Sequence, residues 1–428
     1  MFSHFDGRPA RALCSAAALS LISGAALAET PGGTVTLMNW LGGQEAELFD
    51  DLIAGFEAAH PGIEIETVEV TTSGDQRGGI RAALMGGQQP DLIVNTWPSF
   101  RDELARAGIL RDLSGSYAAH GWDGLVSESW KAASSSGGTV YGLPYTYGFR
   151  SGIWYAPARL EAAGIAGFPA DWESFLASFP AIEAAGYPQP LALPAKIWAH
   201  AEPFESLLLR TGGGETVSKL AAHEIPWTAG PVAAALSKYG EMLRAGCCGA
   251  ASTSLATEWN DAIDAVTVND RSAYVQEGMW TNAIASNQYD LIPGKDYALA
   301  PFPALDAGHD SAAMVDAKEI LATSVGPNPE AADLFLDYLV QAPGANMIAQ
   351  AGFTVPSSAV DTSLYSPLLA GAAEMVSGHE VQFVLGDMLP GGLADEYRVS
   401  LQRFISDPSE ENVMPVLEAI EAAAGRAY

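Results

Sequence analysis

Several stretches of the 428-residue sequence set indole or phenol rings among planar polar and charged side chains. Trp40 stands ahead of Gln44 and Glu45, Asn95 ahead of Trp97, and Lys196, Trp198, His200 and Glu202 crowd one stretch before Phe204. A fourth stretch, Val140 to Gly164, carries Tyr145, Tyr147 and Arg150, and Glu277-Gly278-Met279 leads to Trp280. Rings offer flat apolar surfaces while amides, carboxylates and cations exchange hydrogen bonds, a combination suited to holding a small polar ligand without making a bond. Covalent chemistry would leave other marks. The sequence has no nucleophile elbow, no phosphate-binding glycine loop and no histidine metal motif, and with 51 Asp and Glu residues chance carboxylate pairs carry no information. Plainer readings stand beside these: Trp97 also suits helix-start packing beside Pro98, and His200 suits a surface or capping position.

The elements that must position these residues alternate. Thr34–Asn39 reads as a strand, Leu48, Phe49, Leu52 and Phe56 recur at helical spacing until His60-Pro61-Gly62, and Ile63, Ile65 and Thr67 form a second strand. Ile80–Met85 looks helical, and Pro90–Val94 is a short apolar run of the buried parallel type. Strands alternating with helices predict a parallel α/β sheet that binds ligands beyond the carboxyl ends of its strands, where Trp40, Gln44, Glu45, Asn95 and Trp97 fall. Pro144 has no N–H, so Tyr141–Tyr147 should run extended at a sheet margin, with Tyr145 and Tyr147 on one side. Asp171 caps a helix whose core face is Trp172, Phe175, Leu176 and Phe179, and Pro180 should kink or restart it. Further helices are expected over Ala229–Arg244 and Trp259–Val266, and from Pro329 and Pro343.

The length asks for two domains, and 48% hydrophobic residues can fill both. A net charge of −30 disfavours nucleic acid and anionic membranes, because each phosphate contact needs a Lys or Arg. Arg8 and Arg11 precede an apolar run from Ala16 to Leu27, and Ala26-Leu27-Ala28 is a small-x-small cleavage site, so residues 1–28 read as a signal peptide and the mature chain as exported, in the periplasm. Cys14 lies ahead of that run, badly placed for lipid attachment at the cleavage site. The remaining cysteines, Cys247 and Cys248, are neighbours: the ordinary disulfide separation of ~5.5 Å exceeds the 3.8 Å across one peptide, leaving either a strained bridge or two buried thiols. Neither cysteine has metal-ligand spacing around it.

Read together, these segments resemble extracellular solute-binding proteins of ABC importers, the carbohydrate-binding family 1 type. The likeness runs over nearly the whole mature chain: Trp40 to His60, Gly86-Gly87-Gln88-Gln89-Pro90-Asp91, Tyr141-Gly142-Leu143-Pro144, Ile153-Trp154-Tyr155 through Trp172, Gly278 to Trp280, Pro301-Phe302-Pro303, and Pro329 through Ser357. It implies an α/β, two-lobed periplasmic binding protein fold of type II with lobes joined by hinge strands. The lobes would be 29–147 plus 301–340 and 148–300 plus 341–428, with crossings near 145–150, 299–302 and 338–342. It also implies a sugar held between the lobes, a membrane permease as partner, a monomeric protein, no cofactor and no enzymatic activity.

Within the family the chain is most similar to glucose- and mannose-type monosaccharide binders. The residues are Trp40, Gly43 and Glu45, the Trp198 stretch leading to Phe204-Glu205 and Gly212-Gly213, Pro293 to Tyr297, and Asp316 before Lys318. Two positions depart: Met279 stands where that group has Asp, and Ala195-Lys196 where it has glycines. The implied binding set is Trp40, Gln44, Glu45, Asn95, Trp97, Tyr145, Tyr147, Arg150, Trp198, His200, Trp280, Asp316 and Lys318, for a monosaccharide or small glycoside. Lys196 and Arg150 leave an acidic sugar open. A same-fold binder of a polyamine or other cation is the nearest alternative, because acids with aromatics also make a cation box. A secreted glycosidase is a more distant one.

Overall fold

Val35 and Leu37 point into one core while the backbone of Gly33–Asn39 (β1) pairs in parallel with Ile63–Glu69 (β2) on one edge and Leu92–Asn95 (β3) on the other. The computed structural model describes residues 1, 32–70, 76–377 and 380–428, so the expected signal run and its cleavage site lie outside the described residues. The helix Gln44–Ala59 covers this sheet with Leu48, Phe49, Leu52 and Phe56, the face expected from their spacing. A short hairpin, Ser135–Ser136 (β4) and Thr139–Val140 (β5), precedes the margin strand Gly142–Phe149 (β6).

A second sheet gathers Gly152–Tyr155 (β7), Leu191–Ala192 (β8), Tyr274–Val275 (β9) and Ala298–Pro301 (β10), in the order β10-β7-β9-β8. Long helices cover it. Ala201–Ala221, which breaks at Gly213 where φ is 72°, Gly230–Arg244, Gly391–Ser406 and Val413–Ala427 bury Phe204, Leu236, Tyr397, Leu401 and Leu417 in one apolar cluster.

The first sheet is completed by Ala313–Ala322 (β11), ten residues that are all buried. One edge of β11 pairs with Val381–Phe383 (β12) at Ala313–Val315 and with β3 at Glu319–Ala322; β6 runs along its other edge. Pro144 therefore sits on a strand with one neighbour, where a missing N–H is tolerated. Between Lys318 and Glu319 the register slips, leaving Tyr145 without a partner across β11.

The chain passes from the first sheet to the second between β6 and β7 and returns between β10 and β11. Near 338–342, the third expected crossing, it does not pass between them. The helix Ala342–Gln350 turns Ala345, Ile348 and Ala349 into the first core beside Phe49 and Phe335, and the chain leaves that core only between Val355 and Leu369. Nor does Pro180 break its helix, which runs from Trp172 to Ala184 with Phe179 and Ile182 buried on either side of the proline. Losing one N–H costs less than giving up those contacts. Cys247 and Cys248 are joined to each other by a disulfide and both are buried, which resolves the two readings in favour of the bridge. No described helix is long and apolar enough to cross a membrane.

One buried carboxylate ties β1, the entry to β3 and the turn before the helix Pro329–Val340. Asp91 accepts from the Thr36 amide at 2.9 Å and from the Asn328 amide at 2.6 Å. Hydrogen bonds to charged groups contribute roughly 1.5–3 kcal/mol each, so Asp91→Ala is expected to lower the unfolding free energy by about 3 kcal/mol, read as a lower urea midpoint. An unchanged midpoint would show that the carboxylate is not the tie.

Candidate functional site

Side chains from both lobes and from β11 enclose a cleft of about 1040 Å³. Nine of the thirteen expected residues line it: Trp40, Gln44, Glu45, Trp97, Arg150, Trp198, Trp280, Asp316 and Lys318. From the first lobe, the end of β1 delivers Trp40, whose indole donates to the Val94 carbonyl at 2.7 Å and lies 4.7 Å from the Trp97 ring. Trp97 itself is buried against Phe100 as well, so it both packs at a helix start and closes the cleft wall. Trp198 and Trp280 stand edge-to-face at 5.8 Å on the second lobe, with Trp259 beyond at 6.2 Å from Trp280.

The other four expected residues lie elsewhere. Asn95 is fully buried and donates to Glu319 and to the Trp97 carbonyl, since it ends a central strand and its side chain turns inward. Tyr145 and Tyr147 do not share a surface, because the slip in register at Tyr145 sends it against Phe49 in the first core while Tyr147 packs on Trp130. His200 is completely buried at the start of the helix Ala201–Ala221, its Nε2 against the Arg398 carbonyl, and burial pushes its pKa down to about 4. It is a neutral structural residue at ordinary pH.

The floor of the cleft is an ion network. Lys318 reaches Glu45 at 2.6 Å and Asp316 at 3.6 Å. Arg150 pairs with Glu202 and lies 3.6 Å from Asp316, with its guanidinium 5.2 Å from the Trp198 centroid and 4.6 Å from that of Trp280. Burial works against the charge on Lys318, but Glu45 and Asp316 outweigh it and hold its pKa above the ordinary value. Lys196, which left an acidic sugar open, is exposed and paired with Glu258. Neither Arg150 nor Lys318 is therefore free to neutralise an anionic ligand.

Sequence reasoning missed Glu205, Trp259, Tyr289, Asp387, Arg398 and Gln402, all on the cleft wall. Trp259 with Asn260 and Asp264, and Tyr289 after Gln288, carry the same ring-plus-polar signal that marked the others. Arg398, directly after Glu396-Tyr397, carries it as well, and Asp387 carries none. Glu205 accepts from the amides of Leu385 and Gly386 and from the Tyr397 hydroxyl, fixing the short helix Leu385–Met388 that presents Asp387. Among the described residues no group of His, Cys, Asp and Glu is arranged to hold a metal.

The profile of bacterial extracellular solute-binding proteins matches residues 42–346, and the chain belongs to that family. The osmoprotective compounds-binding protein GgtB of Synechocystis is 27% identical over 382 residues, 84% of this chain and 85% of that protein. The alpha-glucosides-binding periplasmic protein AglE of Rhizobium meliloti is 25% identical over 411 residues, covering 89% and 85%. Among solved structures, the bacterial solute receptor AcbH superposes with a TM-score of 0.81 at 19% identity, over 92% of this chain and 99% of that one. Maltose-bound MalE3 of T. maritima gives 0.75 at 16% identity, over 92% and 100%. The expected periplasmic binding protein fold is thereby established. The family consists of solute-binding proteins and not enzymes.

Two outcomes follow from this geometry. A Cβ at Gly278 would lie 2.2 Å from the Trp280 ring, so Gly278→Ala must displace the indole; near-ultraviolet circular dichroism of the coupled tryptophans should change, with about 1–3 kcal/mol lost to overpacking. An unaltered spectrum would mean the ring rests elsewhere. Burial, aided by Asp387, pushes the Glu205 carboxyl up to about 7, against Arg398 and two amides. The folded protein then holds a proton that the unfolded chain releases near its ordinary carboxyl pKa, so stability is lost as pH rises from there through about 7. The slope is on the order of 1 kcal/mol per pH unit, and Glu205→Gln should flatten it by one proton's worth when urea midpoints are plotted against pH.

Proposed function

We propose that this member of the extracellular solute-binding family binds a neutral carbohydrate, a monosaccharide or small glycoside, between its lobes and delivers it to the membrane permease of an ABC importer. The observation that carries the reading is the combination of half-buried indoles with an ion network whose cations are already paired within the cleft. Sugar rings present CH-rich faces to indoles, and their hydroxyls both donate and accept, so they can bridge carboxylates and cations without demanding net charge. A sugar acid would compete with Glu202 and Asp316 for Arg150, and a polyamine would compete with Lys318 for Glu45. That AglE, named above, is described as binding alpha-glucosides supports a glucoside among the candidate saccharides.

Trp40 and Trp97 come from one lobe and Trp198, Trp259 and Trp280 from the other, so a ligand touching both sets favours the closed arrangement of the lobes. Lobe boundaries are proposed to follow the sheets, with β6–β7, β10–β11 and residues 356–368 as the crossings.

Thermal unfolding in the presence of hexoses, alpha-glucosides, polyols, sugar acids and polyamines tests this. A true ligand at 100 times its dissociation constant adds ~2.7 kcal/mol of stability, and the stabilisation should appear for neutral saccharides and vanish in Trp280→Ala. Stabilisation by polyamines or sugar acids alone would sink the reading, as would turnover of a glycoside. Small-angle scattering should show the radius of gyration falling when that saccharide saturates the protein.

A further inference from the structure

Behind Trp280 the chain buries Glu277 completely, and neither carboxyl oxygen has a hydrogen-bond partner among the described residues. Two donors in the same region are also unpartnered and buried, Arg150 Nε and Trp280 Nε1. The backbone around them is fixed: Trp154 donates to the Glu277 carbonyl at 2.8 Å, and Gln276 donates to the Arg150 carbonyl at 3.1 Å and to Ser206 at 2.7 Å. An ionised carboxylate cannot persist in such a place without donors, whereas a neutral acid can. The arrangement thus has two states, one in which a proton satisfies Glu277 and one in which the idle N–H groups must.

We propose that Glu277 is a proton-dependent positioning residue of the cleft: neutral, it leaves Arg150 on Glu202 and Asp316; ionised, it draws the Arg150 Nε–H and the Trp280 indole N–H to itself and reshapes the wall they form. Charged groups around the site on other elements are Arg150 at the β6–β7 crossing, Glu202 and Glu205 on the helix Ala201–Ala221, Asp316 and Lys318 on β11, Glu45 on the helix Gln44–Ala59, Asp387 on the helix Leu385–Met388, and Arg398 on the helix Gly391–Ser406. Arg150 is the cation that acts on Glu277, and Glu202 and Asp316 already claim it, so a further ionised acid must take it from a partner. Burial pushes the Glu277 carboxyl up to about 8, with Arg150 and the Gly278 and Trp280 N–H groups, near it but short of hydrogen-bond geometry, pulling the other way. On ionisation the proton passes to solvent, no bond between heavy atoms changes, and the switch lies in the range where a small rise in pH acts on it.

The proposal rests on the cleft being the ligand site, but its test needs no ligand. Tryptophan fluorescence of the ligand-free protein is titrated from about pH 6 to about pH 9.5, across the range where a carboxyl raised this far ionises. The expected result is a transition centred at about 8 in the native protein, absent in E277Q, which keeps the low-pH spectrum, and retained in E205Q. A transition centred at about 8 that persists in E277Q overturns the proposal. Should E277Q fail to fold, difference infrared spectra of the native protein decide: a buried neutral carboxyl band that disappears over the same transition supports it, and no such band at neutral pH overturns it. If the fluorescence transition belongs to Glu277 but no saccharide stabilises the protein, the Glu277 switch stands and the carbohydrate reading falls.

Discussion

The guanidinium of Arg150 is the charge on which the arrangement of the two lobes turns. Its residue sits in the short link between β6 and β7, one strand in each sheet, with its amide donating to Met314 on β11 and its carbonyl accepting from Gln276. The side chain then reaches Glu202 on a second-lobe helix and Asp316 on β11 of the first sheet, with two indole rings beside it. A buried ion pair contributes little net stability over an apolar replacement, but removing one partner leaves an uncompensated charge costing about 3–5 kcal/mol. What such a network supplies here is position: each member can be satisfied only when both sheets and the helix stand where they do.

β11 shows the same logic from the side of secondary structure. A wholly buried ten-residue strand carrying Asp316, Lys318 and Glu319 breaks the expectation of a continuous apolar run. Each charge is answered from another segment: Lys318 by Glu45, Asp316 by Arg150, and Glu319 by Arg101 at 2.8 Å with Asn95 beside it. The register slip between Lys318 and Glu319 falls where the side chains change from facing the cleft to facing the first lobe's interior. Strand, hinge and cleft floor are therefore one object.

The second lobe's wall is braced from behind by a short segment beginning at the Cys247–Cys248 disulfide. The Cys247 carbonyl accepts from Leu191 at the start of β8, and the Ser254 and Thr257 carbonyls accept from the amides of Ala195 and Lys196, just ahead of Trp198. The segment ends at Trp259, itself on the cleft. Two of the second lobe's tryptophans are thus held by a few backbone hydrogen bonds running from one bridged turn.

Local pattern was enough for the first sheet and its helix, because alternation in Val35 and Leu37 and the spacing of Leu48, Phe49, Leu52 and Phe56 record which side of each element is buried. It was enough for the rings at strand ends too, since Trp40, Trp198 and Trp280 share a chemistry that stands out from its neighbours. Family likeness added Asp316 and Lys318. Pattern failed at β11, where charges hide a buried strand, at the helix Ala201–Ala221, whose polar start read as loop, and at the tyrosines of β6, which a single slipped residue sends to different cores. Asp387 reaches the cleft from the last quarter of the chain with nothing nearby to announce it. The amino-acid order determined which segments fold and which carry ligand-type side chains; only the tertiary structure decided which of those side chains meet, because a buried charge is tolerated by its partner and that partner is chosen across hundreds of residues.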